Sequence, residues 1–324
     1  MDTRLICCRT PLQALIASRI QEEFPARDFI LYYPTSDSPK HRAYFEKLKA
    51  ESKFFCDWQG DGPSYILSEL SALWRSRSWL RSLPNIRRQL VSSFDSTLFA
   101  AVHGLLSTEV QTFDDGFMNL SAHEMNGRIE GEPKSHRLVK RAFGGKDNRG
   151  LLAASAVHYT IFSPDTLAYP FAATERLSLL PRSLTDEPAK GRVTVLVGTT
   201  IAISKRPVTA QILAAYQRVI QCLDHQVFLA HPGDEQQSRV SPALAEHAEI
   251  LKLTESLIAE EVILRLVALG YRVKVYAFGS TTLLNVAGFA EVYNLVIDGV
   301  NEHEAPVFER LGVPAVPCEQ VCSG

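Results

Sequence analysis

The chain has 324 residues, 46% of them apolar and 22% charged, a balance that excludes a disordered polypeptide or a coiled coil and leaves room for two cores. Lys plus Arg number 34 against 36 Asp plus Glu, a formal net charge of −2, so no global positive field is available to hold nucleic acid and any anion site must be local. No apolar run reaches the length of a membrane span, and the opening residues MDTRLICCRTPLQ lack the regions of a signal peptide, which makes the cytoplasm the expected location.

The first expected element is a strand over Arg4–Cys8, followed at once by a helix. Thr10 can cap that helix, Pro11 suits its first position, and Leu12, Leu15, Ile16 and Ile20 form one apolar face. Strand-like runs rich in β-branched and aromatic residues follow at Phe29–Tyr33, Lys53–Cys56, Thr97–Val102, Glu109–Phe113 and Val157–Phe162. Between them, Trp74 to Leu90 interleaves five arginines with Trp and Leu. It reads as a helix broken near Pro84, suited to peripheral contact with an anionic membrane or, more simply, to a solvated face. The basic stretch Lys134–Arg149 would steer an anionic acceptor or be solvated in the same way.

Tyr169 to Lys190 carries Pro170, Pro181 and Pro188 with little periodicity and reads as a linker. Beyond it the strand pattern restarts at Arg192–Gly198, Gln226–Ala230, Glu249–Leu253, Val273–Phe278 and Glu291–Ile297, with an amphipathic helix over Leu257–Gly270. The expected fold is α/β, two Rossmann-like domains with parallel sheets over residues 1–168 and 191–324, joined by the linker 169–190. The six cysteines, Cys7, Cys8, Cys56, Cys222, Cys318 and Cys322, contain no C-x-x-C pair, so free thiols are expected rather than zinc or redox chemistry.

In parallel sheets ligands sit beyond the carboxyl ends of strands. Asp114-Asp115-Gly116, Gly198-Thr199-Thr200, His231-Pro232 and Gly279-Ser280-Thr281 all follow expected strands, which suggests an interdomain cleft. Each has a plain reading too. Asp-Gly is turn chemistry, a loop His is often only surface, and Ser or Thr commonly caps a helix. The sharper readings are a general acid at His231 and a phosphate site at Ser280 and Thr281. Glu260 and Glu261 fit the positive end of their helix, and either could accept two ribose hydroxyls.

In order along the chain, CRTPLQALIASRI, TFDDGFMNL, HYTIF at His158 to Phe162, VLVG, AHP, EEVILR and YAFGS resemble the bacterial lipooligosaccharide sialyltransferases of glycosyltransferase family 52. The resemblance implies a GT-B architecture of two facing Rossmann-like domains. It also implies inverting, metal-independent transfer of sialic acid from CMP-sialic acid to a galactose-terminated glycan or glycolipid, with no cofactor besides that donor. On this resemblance His231 acts on the leaving phosphate, while Ser280, Thr281, Gly198, Pro232 and Glu260 serve the CMP moiety.

One branch of the family carries Gly-Ser-Pro-Asp where this chain reads Gly198-Thr199-Thr200-Ile201. Its acid therefore has no counterpart at that position, and the base falls to Asp115 or Asp114. The resemblance admits a homodimer and a seat at the cytoplasmic face of the inner membrane. Transfer of another nucleotide sugar and inert nucleotide or glycan binding stay open as alternatives.

Overall fold

A computed structural model describes residues 2–56, 65–180, 190–198, 209–222, 226–230, 239–240, 257–297 and 305–321. The chain forms two compact units, Met1–Leu179 and Leu180–Gly324.

The first unit runs β1 (Thr3–Cys8), α1 (Pro11–Glu23), β2 (Arg27–Tyr32), α2 (Pro39–Lys47), β3 (Ser52–Phe55), α3 (Tyr65–Ser82), β4 (Arg88–Val91), α4 (Thr97–Leu106) and β5 (Glu109–Phe113). A 3-10 turn over Gly116–Asn119 follows, then α5 (Ala122–Glu130), α6 (Lys134–Ala142), α7 (Asn148–Ala153), β6 (Ser155–Thr160) and β7 (Thr174–Arg176). The strands make one sheet in the order β3-β2-β1-β4-β5-β6-β7, parallel throughout. Covered by helices on both faces, such strands need apolar residues on both sides, and every residue of β1 is buried.

The chain builds β1, β2 and β3 outward on one side, then returns to lay β4 on the other side of β1. The strand order therefore reverses between β1 and β4, and it is outside the carboxyl ends at such a point that α/β sheets bind ligands.

The second unit runs β8 (Gly191–Val197), α8 (Thr209–Cys222), β9 (Gln226–Leu229), β10 (Arg239–Val240), α9 (Ala259–Ala268), β11 (Tyr271–Ala277), α10 (Thr281–Val286), β12 (Glu291–Val296), α11 (Ala305–Arg310), β13 (Ala315–Pro317) and α12 (Cys318–Val321). Its sheet order is β10-β9-β8-β11-β12-β13, so here the reversal falls between β8 and β11. Only the short edge strand β10 runs antiparallel among the described pairs.

Four features depart from the sequence expectations. Thr97–Val102 is not a strand but the first part of α4, capped by Ser96, whose side chain accepts from Phe99 N. The helix is buried from Thr97 to His103, so its sequence is apolar on every side, and a short run of that kind has no period to separate helix from strand. The strand that pairs with β1 is instead β4, inside the basic segment expected to be helical to Leu90. Within the stretch expected as linker, Thr174–Arg176 adds an edge strand to the first sheet. Finally, Cys222 is disulfide-bonded, whereas Cys7, Cys8, Cys56 and Cys318 are free and buried. Glu249–Leu253 lies outside the described residues.

Candidate active site

At the reversal point of the first sheet, three chain segments meet on one carboxylate. The first leaves β1. Thr10 caps α1 and Pro11 starts it, and Gln13 at the third helical position completes a capping box. Gln13 N donates to Thr10 Oγ1 at 3.3 Å, while Gln13 Oε1 accepts from Arg9 N at 2.6 Å and Thr10 N at 3.3 Å. Those two N–H groups fix which end of the amide is oxygen. The NH2 end must point the other way, and there Nε2 donates to Asp115 Oδ1 and, at 3.0 Å, to Ser93 Oγ.

The second segment leaves β4 and carries Ser93, whose hydroxyl lies 3.4 Å from Asp115 Oδ2. Its conformation is set by Glu69, a carboxylate buried on α3 that accepts from Ser96 Oγ at 2.6 Å and Thr97 N at 2.8 Å. A buried charge is tolerated when its oxygens are filled in this way.

The third segment leaves β5 with the two aspartates. Side chains alternate along extended backbone, and the pair divides accordingly. Asp114 points inward with no solvent exposure. Its Oδ1 lies 3.0 Å from His158 Nε2 and its Oδ2 accepts from Ile161 N at 2.6 Å. Asp115 points to Gln13 and Ser93 and stays partly open to solvent. Its own N–H donates to Asn119 Oδ1 at 2.7 Å. Gly116 then turns at a φ of 76°, in the left-handed region, where glycine carries no Cβ penalty. The turn reading of Asp-Asp-Gly thus holds for the backbone at Gly116, while the two carboxylates face different partners.

Burial pushes the Asp115 carboxyl up to about 6 from an ordinary 3.8. The nearby Asp95 charge adds to this, while the Gln13 hydrogen bond, Arg128 and Arg9 work against it. Asp95 itself is paired with Arg128 at 2.6 Å. A carboxylate ionised at neutral pH yet more basic than usual is what a general base requires.

In the second unit, Val197 and Ala277 are register partners, so Gly198 and the Phe278–Thr281 loop leave adjacent strands at the second reversal point. Gly198 N donates to Leu229 O at 2.7 Å. Gly279, at a φ of 58°, donates from N to the buried Asn294 Oδ1 at 2.8 Å. Ser280 caps α10, accepting from Thr282 N at 3.3 Å, and Thr281 opens the helix. Glu260, buried in the first turn of α9, accepts on Oε1 from Thr282 Oγ1 at 3.0 Å and Asn285 Nδ2 at 2.9 Å. Ser280, Thr281 and Glu260 therefore come together around one turn, and part of the Glu260 carboxylate ties α9 to α10. His231 and Pro232 lie outside the described residues. Among the described residues no three His, Cys, Asp or Glu side chains group as a metal site.

Sequence reasoning missed Gln13, Ser93 and the partner role of His158. Gln13 had a readable signal, since T-P-L-Q has the Thr-x-x-Gln form of a capping box. For Ser93, in a run of serines, the sequence offers none.

Comparison with known proteins adds to this geometry. A family model described as Glycosyltransferase family 52 matches residues 94–299, a span that includes both aspartates, His158 and the second-unit residues. A CMP-N-acetylneuraminate:beta-galactoside alpha-2,3-sialyltransferase of Pasteurella multocida (strain Pm70) is 25% identical over 332 residues, covering 96% of this chain and 98% of its own. An N-acetyllactosaminide alpha-2,3-sialyltransferase of Neisseria meningitidis is 30% identical over 171 residues, 49% of this chain and 44% of its own. Among solved structures, the spinosyn rhamnosyltransferase SpnG has a TM-score of 0.57 at 15% identity, covering 100% of this chain and 88% of its own. The calicheamicin glycosyltransferase CalG4 has a TM-score of 0.53 at 10% identity, covering 99% and 86%. At those identities the likeness speaks to fold alone, and the fold is that of the GT-B glycosyltransferases.

Proposed function

Because the chain belongs to glycosyltransferase family 52, we propose that this glycosyltransferase moves sialic acid from CMP-sialic acid to a galactose-terminated glycan, with inversion and without a divalent metal. The observation that carries the reading is the Asp115 carboxylate, held by Gln13 and Ser93 at the reversal point of the first sheet. The donor named for the Pasteurella relative, CMP-N-acetylneuraminate, supports the choice, since its likeness extends over nearly the whole chain.

In this mechanism Asp115 accepts the proton of the attacking galactose hydroxyl as its oxygen bonds to the anomeric carbon. The bond from that carbon to the CMP phosphate oxygen breaks on the opposite side, which inverts the centre. Protonation of the departing phosphate falls to His231, the Ser280 and Thr281 hydroxyls donate to its oxygens, and Gly198 and Pro232 serve the CMP moiety. A carboxylate has about four acceptor positions, so Glu260 can hold ribose hydroxyls beside its bonds to Thr282 and Asn285.

The acceptor in the proposal is lipid-linked, a lipooligosaccharide met at the cytoplasmic face of the inner membrane. On α3, Trp74 is 73% and Leu67 59% exposed, Arg77 lies 5.6 Å from the Trp74 ring centroid, and the single acidic residue of the helix, Glu69, is buried. An aromatic and basic surface of this kind suits an anionic bilayer. Among the described residues no helix is long and apolar enough to cross a membrane.

CMP release from CMP-sialic acid, with and without a β-galactoside, tests the reading, and NMR of the product gives its anomer and linkage. Acceptor-dependent release is expected. Saturable CMP binding without release would make the protein a binding module, and turnover of a UDP-sugar instead would reassign the donor.

A further inference from the structure

We propose that His158 is a positioning residue of the transfer reaction, holding Asp114 so that the turn after β5 aims Asp115 at the acceptor. This rests on the role of Asp115 given above, but its own basis is the set of hydrogen bonds around the His158 ring. Ser155 Oγ donates to Val157 O at 3.0 Å, which uses its only hydrogen. The 2.8 Å contact between Thr112 Oγ1 and Ser155 Oγ must then be donated by Thr112. Thr112 Oγ1 has no second hydrogen, so its 2.9 Å contact with His158 is donated by the ring, from Nδ1. The tautomer is therefore fixed from one side, and one further proton lies between Nε2 and Asp114 Oδ1 across 3.0 Å.

The ring cannot turn out of this chain. It is 1% exposed and stacks on Phe171 with centroids 3.8 Å apart and planes 1° from parallel. The Phe171 segment is itself tied to the turn, since Ala168 N donates to Asn119 O at 2.7 Å, and Asn119 receives the Asp115 N–H on its side chain. On the other side of the pair, Asp114 Oδ2 accepts from Ile161 N and locks the exit of β6 to the exit of β5. His158 touches no atom of the Asp115 carboxylate. It acts by leaving Asp114 one orientation, and with it the backbone that carries Asp115.

Two variants of similar size separate this role from simple core packing. In H158Q the side-chain amide can take the place of Nε2 and still donate to Asp114. In H158N the shorter amide takes the place of Nδ1 and reaches only Thr112. Both full-length variants are assayed for transfer well below their melting temperatures, and the Asp115 carboxyl is titrated by NMR after selective carbon-13 labelling of aspartate.

H158Q is expected to keep kcat within about threefold of the parent, and H158N to lose about 10–100-fold with the donor KM unchanged, the scale of a misplaced catalytic group. In H158N the Asp115 titration should also move down towards that of a solvent-exposed aspartate. Equal kcat in the two folded variants, or an Asp115 titration that H158N leaves in place, would overturn the proposal. If the parent protein transfers no sialic acid, the functional reading fails on its own, and the titration still decides whether His158 positions Asp115.

Discussion

Gln13 and Asp115, 102 positions apart in the chain, are joined by a hydrogen bond from the Gln13 amide to the Asp115 carboxylate. The same amide accepts from the N–H groups of Arg9 and Thr10 at the start of α1. One side chain thus terminates a helix and orients a candidate base.

Replacing Gln13 by Leu should therefore have two separable effects. Loss of the capping partner lowers stability by about 0.5–2 kcal/mol. The bond to Asp115 favours its ionised form, so without it the carboxyl is less acidic and the acid limb of the kcat profile moves to higher pH. Denaturant unfolding measures the first effect and a pH–rate series the second. An unmoved limb would mean that Gln13 is only a cap.

Asp115→Asn should abolish transfer while making the protein more stable at neutral pH. The folded carboxyl titrates near 6 against 3.8 for the ordinary group, so the folded state holds its proton more tightly than the unfolded chain. Stability is then lost as pH rises from about 4 to 6 and stays reduced above that. The shift corresponds to about 3 kcal/mol, and partial solvent access lowers this to on the order of 1–3 kcal/mol. Melting curves of variant and parent should coincide near pH 4 and separate by pH 7. A gap that does not change with pH would refute the raised carboxyl.

The first helix and its cap were legible in the sequence because Thr10-Pro11 and the apolar face of α1 are local signals. The acidic pair was legible as unusual chemistry at the end of β5, but the inward turn of Asp114 was not. That depends on His158 and Ile161, which approach from 44 and 47 residues away. β4 was hidden because Arg88 and Gln89 open a strand of four residues within a basic segment, and its identity comes from pairing with β1 and β5. Glu260 read as a first-turn acid on an amphipathic helix, which it is, yet its bonds to Thr282 and Asn285 are tertiary and leave no trace in periodicity.

His231→Ala should lower kcat by about 10²–10⁴-fold, the usual contribution of a general acid. The effect should be smaller for a donor analogue whose leaving group is already a weak base. Thermal protection by CMP should persist in the variant. Near-normal turnover with the natural donor would remove His231 from the mechanism.

Transfer should continue in EDTA at the rate seen in untreated enzyme, since hydroxyl donors and an imidazole are proposed to meet the phosphate charge. Activity lost to chelation and restored by magnesium or manganese would contradict this.

The bond from Ile161 N to Asp114 Oδ2 gives the first unit a built-in reporter. A backbone amide held by a buried carboxylate exchanges its hydrogen with solvent only when that carboxylate moves away. Deuterium uptake at this single position therefore reads how often the turn carrying the candidate base loosens, independently of any substrate. Ligands that quieten the turn and ligands that merely occupy the second unit can be told apart by one peptide in an exchange experiment.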